Sequence, residues 1–209
     1  DLDSACAAVA DGVRRGDVVS FQLPNWWQAA ALYIACSRLG AVYNPLLPVF
    51  RSRELEFMLS LAESKVAVIA ATFRECDYAN IYAQLRRELP ALEHVFAIGA
   101  DSPDSFERRL SEHPWEEGVD ADAVFRSMRP DPNDVAELMY TSGTTGQPKG
   151  VLHTHNTLFG MLEEYNRTLS LGSDEVIMQA APIMHQAGLL HGVLMSNMLG
   201  ATLILQEKW

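Results

Sequence analysis

A dense run of hydroxyl side chains, glycines and one lysine occupies residues 140–151, Tyr-Thr-Ser-Gly-Thr-Thr-Gly-Gln-Pro-Lys-Gly-Val. Apolar runs flank it at 135–139 and 151–152, which predicts a hairpin turn between two buried strands. Glycines let the backbone approach an oxyanion closely and point N–H groups at it. Hydroxyls add donors, and Lys149 adds a point charge. This combination favours a polyphosphate ligand.

Two other interpretations apply to glycine-rich runs of this kind. A Walker A loop needs a glycine directly before its lysine and a Ser or Thr directly after it. Pro148 and Gly150 stand at these two positions, so the Walker interpretation fails. A flexible Ser/Thr/Gly linker without any ligand also fits the composition. Composition alone leaves that alternative open.

The run resembles the phosphate-binding signature of the AMP-forming adenylating enzymes, which include acyl-CoA synthetases, luciferases and peptide-synthetase adenylation domains. Residues 141–150 match that signature at every fixed position, including its Pro-Lys-Gly ending. Residues 38–48 resemble the family's structural Gly-Ala-x-x-x-Pro turn after a buried helix. Residues 182–188, Pro-Ile-Met-His-Gln-Ala-Gly, resemble the segment that lines its acyl site. A match of this length argues against a bare linker.

The resemblance implies that ATP and a carboxylic acid form an acyl-adenylate and pyrophosphate, with Mg²⁺, before the acyl group passes to coenzyme A. This first step brings two anions together, so positioning and charge neutralisation supply most of the catalysis. Lys149 would be a charge partner, because a carboxylate has no proton to lose. The residues implied to hold the β- and γ-phosphates are Thr141, Ser142, Gly143, Thr144, Thr145, Gly146 and Lys149.

His185 and Gly188 are the residues that the resemblance assigns to the acyl site. His185 is implied to be catalytic, because its imidazole can donate a hydrogen bond to the reacting carboxylate. Gly188 would permit close approach of the acyl chain. The structural alternative for His185 is an imidazole satisfied by the backbone at a helix start. No metal ligand is assigned, because the family's later motif with its metal-binding Glu does not occur in these 209 residues.

The chain is acidic, with a formal net charge of -11, and 48% of its residues are hydrophobic. This charge argues against nucleic acid or an anionic membrane as the main partner. The most apolar tract, 183–205, is interrupted by polar residues and does not predict a membrane span. Three widely spaced cysteines are typical of reduced thiols. The expected partners are therefore small molecules (a carboxylic acid, ATP and CoA), and the expected location is the cytoplasm.

Short apolar segments typical of strands alternate along the chain with longer segments of helical periodicity. This order predicts an α/β fold with a largely parallel sheet flanked by helices. Asn25, Ser52 and the pair His155-Asn156 are predicted as helix caps. The predicted strands are 18–23, 41–45, 66–70, 94–98, 134–140, 149–153, 175–179 and 202–205. The predicted helices are 2–14, 26–39, 53–62, 75–89, 104–110, 121–128, 156–170 and 186–198.

The resemblance implies that the chain is part of a larger enzyme and inactive alone. Residues 1–133 would form a first αβ subdomain, and 134–209 the phosphate-loop strands and the start of the acyl-site region. The C-terminal domain and its catalytic lysine would lie outside. An isolated fragment should expose apolar surface, which makes a homo-oligomer one of the expected states. The acid is expected to be short- to medium-chain or cyclic. The alternatives are an amino-acid-activating or luciferase-like enzyme and a non-catalytic nucleotide-binding module.

Overall fold

The structure is a computed structural model that describes residues 12–111, 120–141 and 148–207. Strands and helices alternate along most of this length, as the apolar pattern predicts. Their bounds in chain order are β1 Val18–Gln22, α1 Trp27–Leu39, β2 Val42–Pro45, α2 Ser52–Leu61, β3 Val66–Ala70, β4 Thr72–Phe73, β5 Cys76–Asp77, α3 Tyr78–Glu88, β6 His94–Ile98, α4 Ala121–Met128, β7 Val135–Thr141, β8 Lys149–Thr154, α5 His155–Leu169, β9 Val176–Gln179, α6 (residues 186–199) and β10 Thr202–Leu205.

The main sheet has six strands in the order β6-β3-β1-β2-β7-β8. All neighbouring pairs are parallel except β7 with β8, which form the predicted hairpin. The predicted fold, α/β with a largely parallel sheet and flanking helices, is therefore confirmed. The centre of β7 is buried as predicted, but β8 is exposed or half-buried because it lies at the edge of the sheet, so the prediction of two buried strands is wrong for β8. Because the strands β1, β2, β3, β6 and β7 are parallel, their carboxyl ends lie at one edge. Ligands of such sheets bind outside that edge.

A second, two-stranded parallel sheet pairs β9 with β10. Helix α6 connects these strands and is α-helical at Gln186–Gly188, π-helical over Leu189–Leu194 and α-helical again over Met195–Leu199. Most of its central residues are buried in the same apolar core that α1 and the main sheet form. Because β7 and β8 extend the sheet that begins with β1, the two parts predicted on either side of residue 133 share one sheet. That division of the chain stays a prediction.

The caps predicted for the first two helices, α1 and α2, are both wrong. Helix α1 begins after Trp26, which makes no side-chain cap, and Asn25 binds elsewhere. Ser52 is the first residue of α2 and not its cap. There the Glu54 carboxylate accepts from the backbone N–H of Arg51 at 3.1 Å, so an acidic side chain inside the first turn satisfies the free backbone donor.

The third predicted cap is also displaced by one residue. His155 is already helical, and the hydroxyl of Thr154 accepts from the backbone N–H of Thr157 at 3.2 Å. Helix α3 begins at Tyr78, three residues later than predicted, because the β4-β5 hairpin precedes it and the Asp77 carboxylate caps it. This hairpin turns through Arg74 and Glu75, both with positive φ, and neither residue type signals such a turn.

Two predicted helices on the periphery differ from the structure. Residues 12–14 are not helical, and residues 1–11 lie outside the described part of the chain. The helix predicted at 104–110 is instead a short π-helical segment, Glu107–Ser111. The prediction at 104–110 rested on weak periodicity, which does not distinguish helical types. The prediction at 2–14 rested on apolar residues at helical spacing, and only its last three residues are described. No helix of the described residues has the length and apolarity needed to cross a bilayer.

The described chain exposes several large apolar side chains, as predicted for a fragment. Val176 and Met178 on β9 are 60% and 62% exposed. They alternate with less exposed neighbours, so one face of the second sheet is uncovered. Further exposed apolar residues on β8, α5 and β10 are Leu152, Phe159, Tyr165, Leu169 and Ile204.

Candidate functional site

The β7-β8 hairpin brings the two described ends of the phosphate-loop run together. Thr141 ends β7 and pairs directly with Lys149, which begins β8. Both residues are exposed at the carboxyl edge of the main sheet. Of the residues predicted to bind phosphate, Ser142, Gly143, Thr144, Thr145 and Gly146 lie outside the described residues. The structure therefore gives the frame that would carry the loop, with a hydroxyl on one side and a cation on the other.

Tyr140 anchors this hairpin to the rest of the sheet. Its hydroxyl donates to the backbone carbonyl of Met58 in α2 at 2.8 Å. Burial is the main cause that raises the pKa of Tyr140 to about 12. Opposite it, a Cβ added to Gly150 would lie 2.9 Å from Cδ1 of Leu138, the end of a flexible side chain that could shift to make room.

Asn25 ties the acyl-site segment to the end of β1. Its Oδ1 accepts from the backbone N–H of Ile183 at 2.9 Å. Its Nδ2 donates to the carbonyl of Ala181 and to the carbonyl of Gln206, each at 3.0 Å. Asn25 is 8% exposed, so these bonds are sheltered from water. One side chain thus joins the main sheet to the segment that precedes His185 and to the end of β10.

His185 stands at the start of α6, with an exposed side chain. Its Nδ1 accepts from the backbone N–H of Ala187 at 3.4 Å. In the neutral ring this leaves the proton on Nε2, where it can be donated to a ligand. The backbone contact expected of the structural alternative is present, and it leaves Nε2 available. A catalytic role for His185 stays a prediction.

Gly188 is buried where α6 packs onto the preceding segment. A Cβ there would lie 2.1 Å from the carbonyl oxygen of Pro182 and 2.9 Å from the nitrogen of Ile183. Only glycine allows this approach without a backbone shift. The structure thus gives Gly188 a role in seating the helix that follows His185. Its predicted contact with an acyl chain stays a prediction.

Glu137 is a buried carboxyl in the middle of β7, which the sequence analysis treated as part of an apolar run. It is 0% exposed. Neither of its oxygens makes a hydrogen bond with the described residues, and the side-chain oxygen and nitrogen of the neighbouring Gln186 make none either. Burial raises the pKa of Glu137 to about 7, and the interaction with the facing Gln186 amide opposes part of this rise in pKa. The sequence did contain a signal for this site, namely a single charged residue inside an otherwise apolar strand.

Two tyrosines lie near Glu137 and Gln186 and enlarge this cluster of buried polar side chains. Burial, and secondarily the charge of Glu137, raise the pKa of Tyr33 on α1 and of Tyr43 on β2. Tyr43 pairs in register with Glu137, and its hydroxyl lies 3.8 Å from the sulfur of Met184. The cluster therefore spans the gap between the strand that enters the phosphate loop and the segment that carries His185.

A groove of about 480 Å³ lies elsewhere, between α1, α5 and α6. Its lining includes Tyr33, Phe159, Leu162 and Met198, and none of the residues predicted to bind phosphate or the acyl group. His155 also lines it, and burial lowers the pKa of this imidazole while Asp134 opposes the shift. Within the described residues no group of three or more His, Cys, Asp and Glu side chains is arranged to hold a metal ion.

Comparison with known proteins gives a consistent result. The sequence model of the family described as AMP-binding enzyme matches residues 3–209. The medium-chain fatty-acid–CoA ligase of Escherichia coli is 31% identical over 99% of this chain and 36% of its own length. The 2-hydroxy-7-methoxy-5-methyl-1-naphthoate–CoA ligase of Streptomyces carzinostaticus is 34% identical over 83% of this chain and 32% of its own length.

A solved structure of a Mycobacterium tuberculosis fatty acyl CoA synthetase superposes with a TM-score of 0.81 at 28% identity. The superposition covers 100% of this chain and 38% of that one. The chain thus spans about a third of the length of these relatives.

Proposed function

The chain belongs to the AMP-binding enzyme family, and from this premise we propose that it is part of an AMP-forming carboxylic acid–CoA ligase. The whole protein would join a carboxylic acid to ATP as an acyl-adenylate and then transfer the acyl group to coenzyme A. Two curated relatives are CoA ligases, one for medium-chain fatty acids and one for a naphthoate. They support a short- to medium-chain or cyclic acid as the substrate.

The observation that carries the proposal is the pairing of Thr141 with Lys149 across the β7-β8 hairpin. It sets a hydroxyl and a cation at the two ends of a Gly/Ser/Thr run, at the edge of the sheet where ligands bind. A carboxylate oxygen would attack the α-phosphorus of ATP. An O–P bond forms, and the bond to the β-phosphate oxygen breaks as pyrophosphate leaves. Lys149 would neutralise the departing phosphates and remove no proton.

His185 would orient the attacking carboxylate. Its Nε2–H can donate to one carboxylate oxygen while Nδ1 stays bound to the Ala187 N–H. Gln186, the first residue of α6, faces Glu137 on β7. Thr141 is four residues beyond Glu137 on the same strand, roughly 13 Å at the usual rise of a strand. An acid beside His185 and phosphates beside Thr141 would therefore occupy one continuous site.

Mg²⁺ would supply additional neutralisation of the phosphates. The described residues hold no cluster of carboxylates that would fit it, so we assign it no ligand and no step here. Amino-acid activation would require an acidic side chain that can reach an α-ammonium group. Residues 184–187, Met-His-Gln-Ala, contain no acidic side chain, and Glu137, which faces Gln186, is wholly buried, which disfavours this alternative.

The test is carboxylate-dependent exchange of labelled pyrophosphate into ATP by the full-length protein that contains this chain. The acids should include medium-chain, alicyclic, aromatic and amino acids. Exchange with the first three classes and none with amino acids is the expected result. Absence of exchange with every acid, from protein shown to be folded by circular dichroism, would overturn the proposal in favour of a non-catalytic nucleotide-binding module.

Lys149→Met separates the loop's function from general charge effects. We expect it to slow exchange by about a hundredfold, the range found when one preorganised charge donor is removed. Arg167→Met is the matched control, because Arg167 is an exposed cation on α5 that pairs only with Glu164 among the contacts of the described chain. Equal losses in the two variants would mean that Lys149 acts only through the overall charge.

A further inference from the structure

Glu137 is the one Asp, Glu, Lys, Arg or His side chain that is fully buried in the described part of the chain. Buried carboxyls are normally paired with a cation or hydrogen-bonded, because an isolated charge is costly in an apolar interior. Among the described residues Glu137 has no cationic partner, and neither carboxyl oxygen makes a geometrically formed hydrogen bond; the polar side chain that faces it is the Gln186 amide. It lies on the strand that ends at Thr141, so its position is tied to the phosphate loop. Such a residue requires a physical explanation.

The explanation lies in the side chain that faces it. The two carboxyl oxygens of Glu137 and the amide oxygen and nitrogen of Gln186 are all buried without a partner. A protonated carboxyl and a primary amide have complementary groups: the O–H donates to the amide oxygen, and the amide N–H donates to the other carboxyl oxygen. A single proton would therefore satisfy all four atoms. An ionised carboxylate accepts from the amide nitrogen but leaves the amide oxygen unpaired.

We propose that Glu137 is a positioning residue whose neutral carboxyl pairs with the Gln186 amide and so holds the start of α6, with His185, against the strand that enters the phosphate loop. Gln186 is the residue that follows His185, and its amide faces Glu137 on β7. When Glu137 ionises, one hydrogen bond of the pair is lost and a charge remains buried. His185 then loses its fixed orientation toward the carboxylic acid. This inference rests on the proposed function.

The other titratable groups near Glu137 are two tyrosines, one thiol and one imidazole. The hydroxyl of Tyr33 and the thiol of Cys36 face the cluster from α1, and the hydroxyl of Tyr43 faces it from β2. His153 is its register partner on β8 and is partly buried. No cationic side chain of the described residues offsets the burial, which raises the pKa of Glu137 to about 7. The pair should therefore change state near neutral pH.

The experiment measures KM for the carboxylic acid and for ATP by pyrophosphate exchange with the full-length protein, at about one and a half pH units on either side of 7. In the wild type, KM for the acid should rise about tenfold with pH, equal to the roughly 1.4 kcal/mol of one hydrogen bond. KM for ATP should stay nearly constant. Glu137→Gln keeps an amide partner for Gln186 but cannot ionise, so its KM for the acid should not show this rise.

Two further variants complete the series. Glu137→Leu removes the partner of Gln186 and should raise KM for the acid about tenfold at every pH. Met139→Leu is the matched control, because Met139 is buried two residues along the same strand and face and the change nearly conserves volume. His185 and the substrate are unchanged in Glu137→Gln, so their titration cancels in the ratio to wild type. A rise in KM that persists in Glu137→Gln overturns the proposal, as does equal behaviour of Glu137→Leu and Met139→Leu.

A readout without substrate separates this inference from the proposed function. Difference infrared spectroscopy of wild type minus Glu137→Gln should show a buried carboxylic-acid C=O band at the acidic pH, and this band should be lost at the alkaline pH. Absence of the band at the acidic pH would refute a neutral Glu137 even in an active enzyme. Its presence in a protein that exchanges no pyrophosphate would retain the Glu137–Gln186 pair while the acid-activating function failed.

Discussion

Two buried polar sites hold the segment around His185, and they differ in how fully their hydrogen bonds are made. Asn25 uses its side-chain oxygen and nitrogen to bind Ile183, Ala181 and Gln206 at 2.9 to 3.0 Å. The Glu137 carboxyl and the Gln186 amide face each other with all four polar atoms unpaired. Asn25 carries no ionisable group, so its hydrogen bonds should not change with pH. The Glu137 site changes its hydrogen-bonding capacity with one proton.

This difference shows how one segment can be both fixed and adjustable. The backbone of residues 181–183 is held by neutral hydrogen bonds to Asn25, which set where the segment lies. In the proposed pairing, the orientation of the first turn of α6 depends on the interaction of Glu137 with Gln186. Buried networks specify a unique arrangement only when every member is satisfied. We therefore expect changes at Asn25 to affect mainly stability and changes at Glu137 to affect mainly pH dependence.

The largest effect should follow from Asn25→Ala. This change removes the acceptor of the buried Ile183 N–H and one donor to each of the Ala181 and Gln206 carbonyls, of which the Ala181 carbonyl keeps its bond from Gln179 Nε2 at 3.0 Å. We expect the free energy of unfolding to fall by about 4 kcal/mol, because each unpaired buried group costs about 1 to 3 kcal/mol. Urea unfolding followed by circular dichroism measures it.

Asn156→Ala is the matched control for Asn25→Ala. Asn156 is exposed and donates to the side chain of Asn133 at 2.8 Å. Water can replace that bond, so the cost should stay within about 0.5 kcal/mol. Similar losses in the two variants would show that the Asn25 hydrogen bonds contribute no more than a surface contact.

The pH dependence of stability should be the next largest effect, and its sign is fixed by Glu137. The pKa of this carboxyl rises from 4.5 to about 7 on folding, so between these values the folded state binds more protons than the unfolded state. The stabilising contribution is therefore complete below about 4.5 and lost as pH rises through about 7. The loss should be about 3 kcal/mol in total.

Thermal unfolding of wild type and Glu137→Gln across this range isolates that contribution. The difference in unfolding free energy between the two proteins should move in favour of the variant as pH rises, and then level off above about pH 8. Other titrating groups are common to both proteins and cancel. A difference that does not change with pH would mean that Glu137 titrates near its ordinary value in the folded protein.

Most of the fold could be predicted because its strands are short apolar runs that helices separate. The bounds of β3, β6, α4 and β10 agree with the prediction, and most other elements differ by one or two residues. The main failures are local. Turns through Arg74 and Glu75 at positive φ and caps such as Thr154 depend on side-chain geometry, which apolar periodicity does not encode.

The site could be predicted only as far as its motifs are continuous in sequence. The Thr141–Lys149 pair lies within one signature, and the hairpin that joins them was predicted and is confirmed. Asn25 was missed because its partner Ile183 lies 158 residues further along the chain. Glu137 was missed because the apolar pattern around it indicates a strand without indicating what its side chain meets. Both residues acquire their role from tertiary packing.

Gly188→Ala tests how closely α6 must pack against the segment that Asn25 binds. The added Cβ would lie 2.1 Å from the Pro182 carbonyl oxygen, so the backbone must shift. We expect a loss of about 2 kcal/mol, a typical cost of overpacking. Gly160→Ala is the matched control, because Gly160 is an exposed glycine of α5 with nothing within 4 Å of its added Cβ. It should gain up to about 1 kcal/mol from helix propensity. A loss in both variants would contradict the packing explanation.

The smallest effect concerns Tyr140, whose satisfied hydroxyl lies on the opposite face of β7 from Glu137. Tyr140→Phe removes its bond to the Met58 carbonyl at 2.8 Å and should lower the free energy of unfolding by about 1 kcal/mol. Tyr165→Phe, at a more exposed ring stacked on His191, should change it by less than about 0.5 kcal/mol.

The Tyr140 hydroxyl anchors the strand next to Thr141 and makes no contact with α6 among its hydrogen bonds. Tyr140→Phe should therefore raise KM for ATP in the full-length enzyme and leave KM for the acid nearly unchanged, the reverse of Glu137→Leu. Pyrophosphate exchange with each substrate varied in turn measures both values. If Tyr140→Phe raised KM for the acid as much as that for ATP, the two faces of β7 would not serve separate parts of the site, because a single strand displacement would then explain both variants.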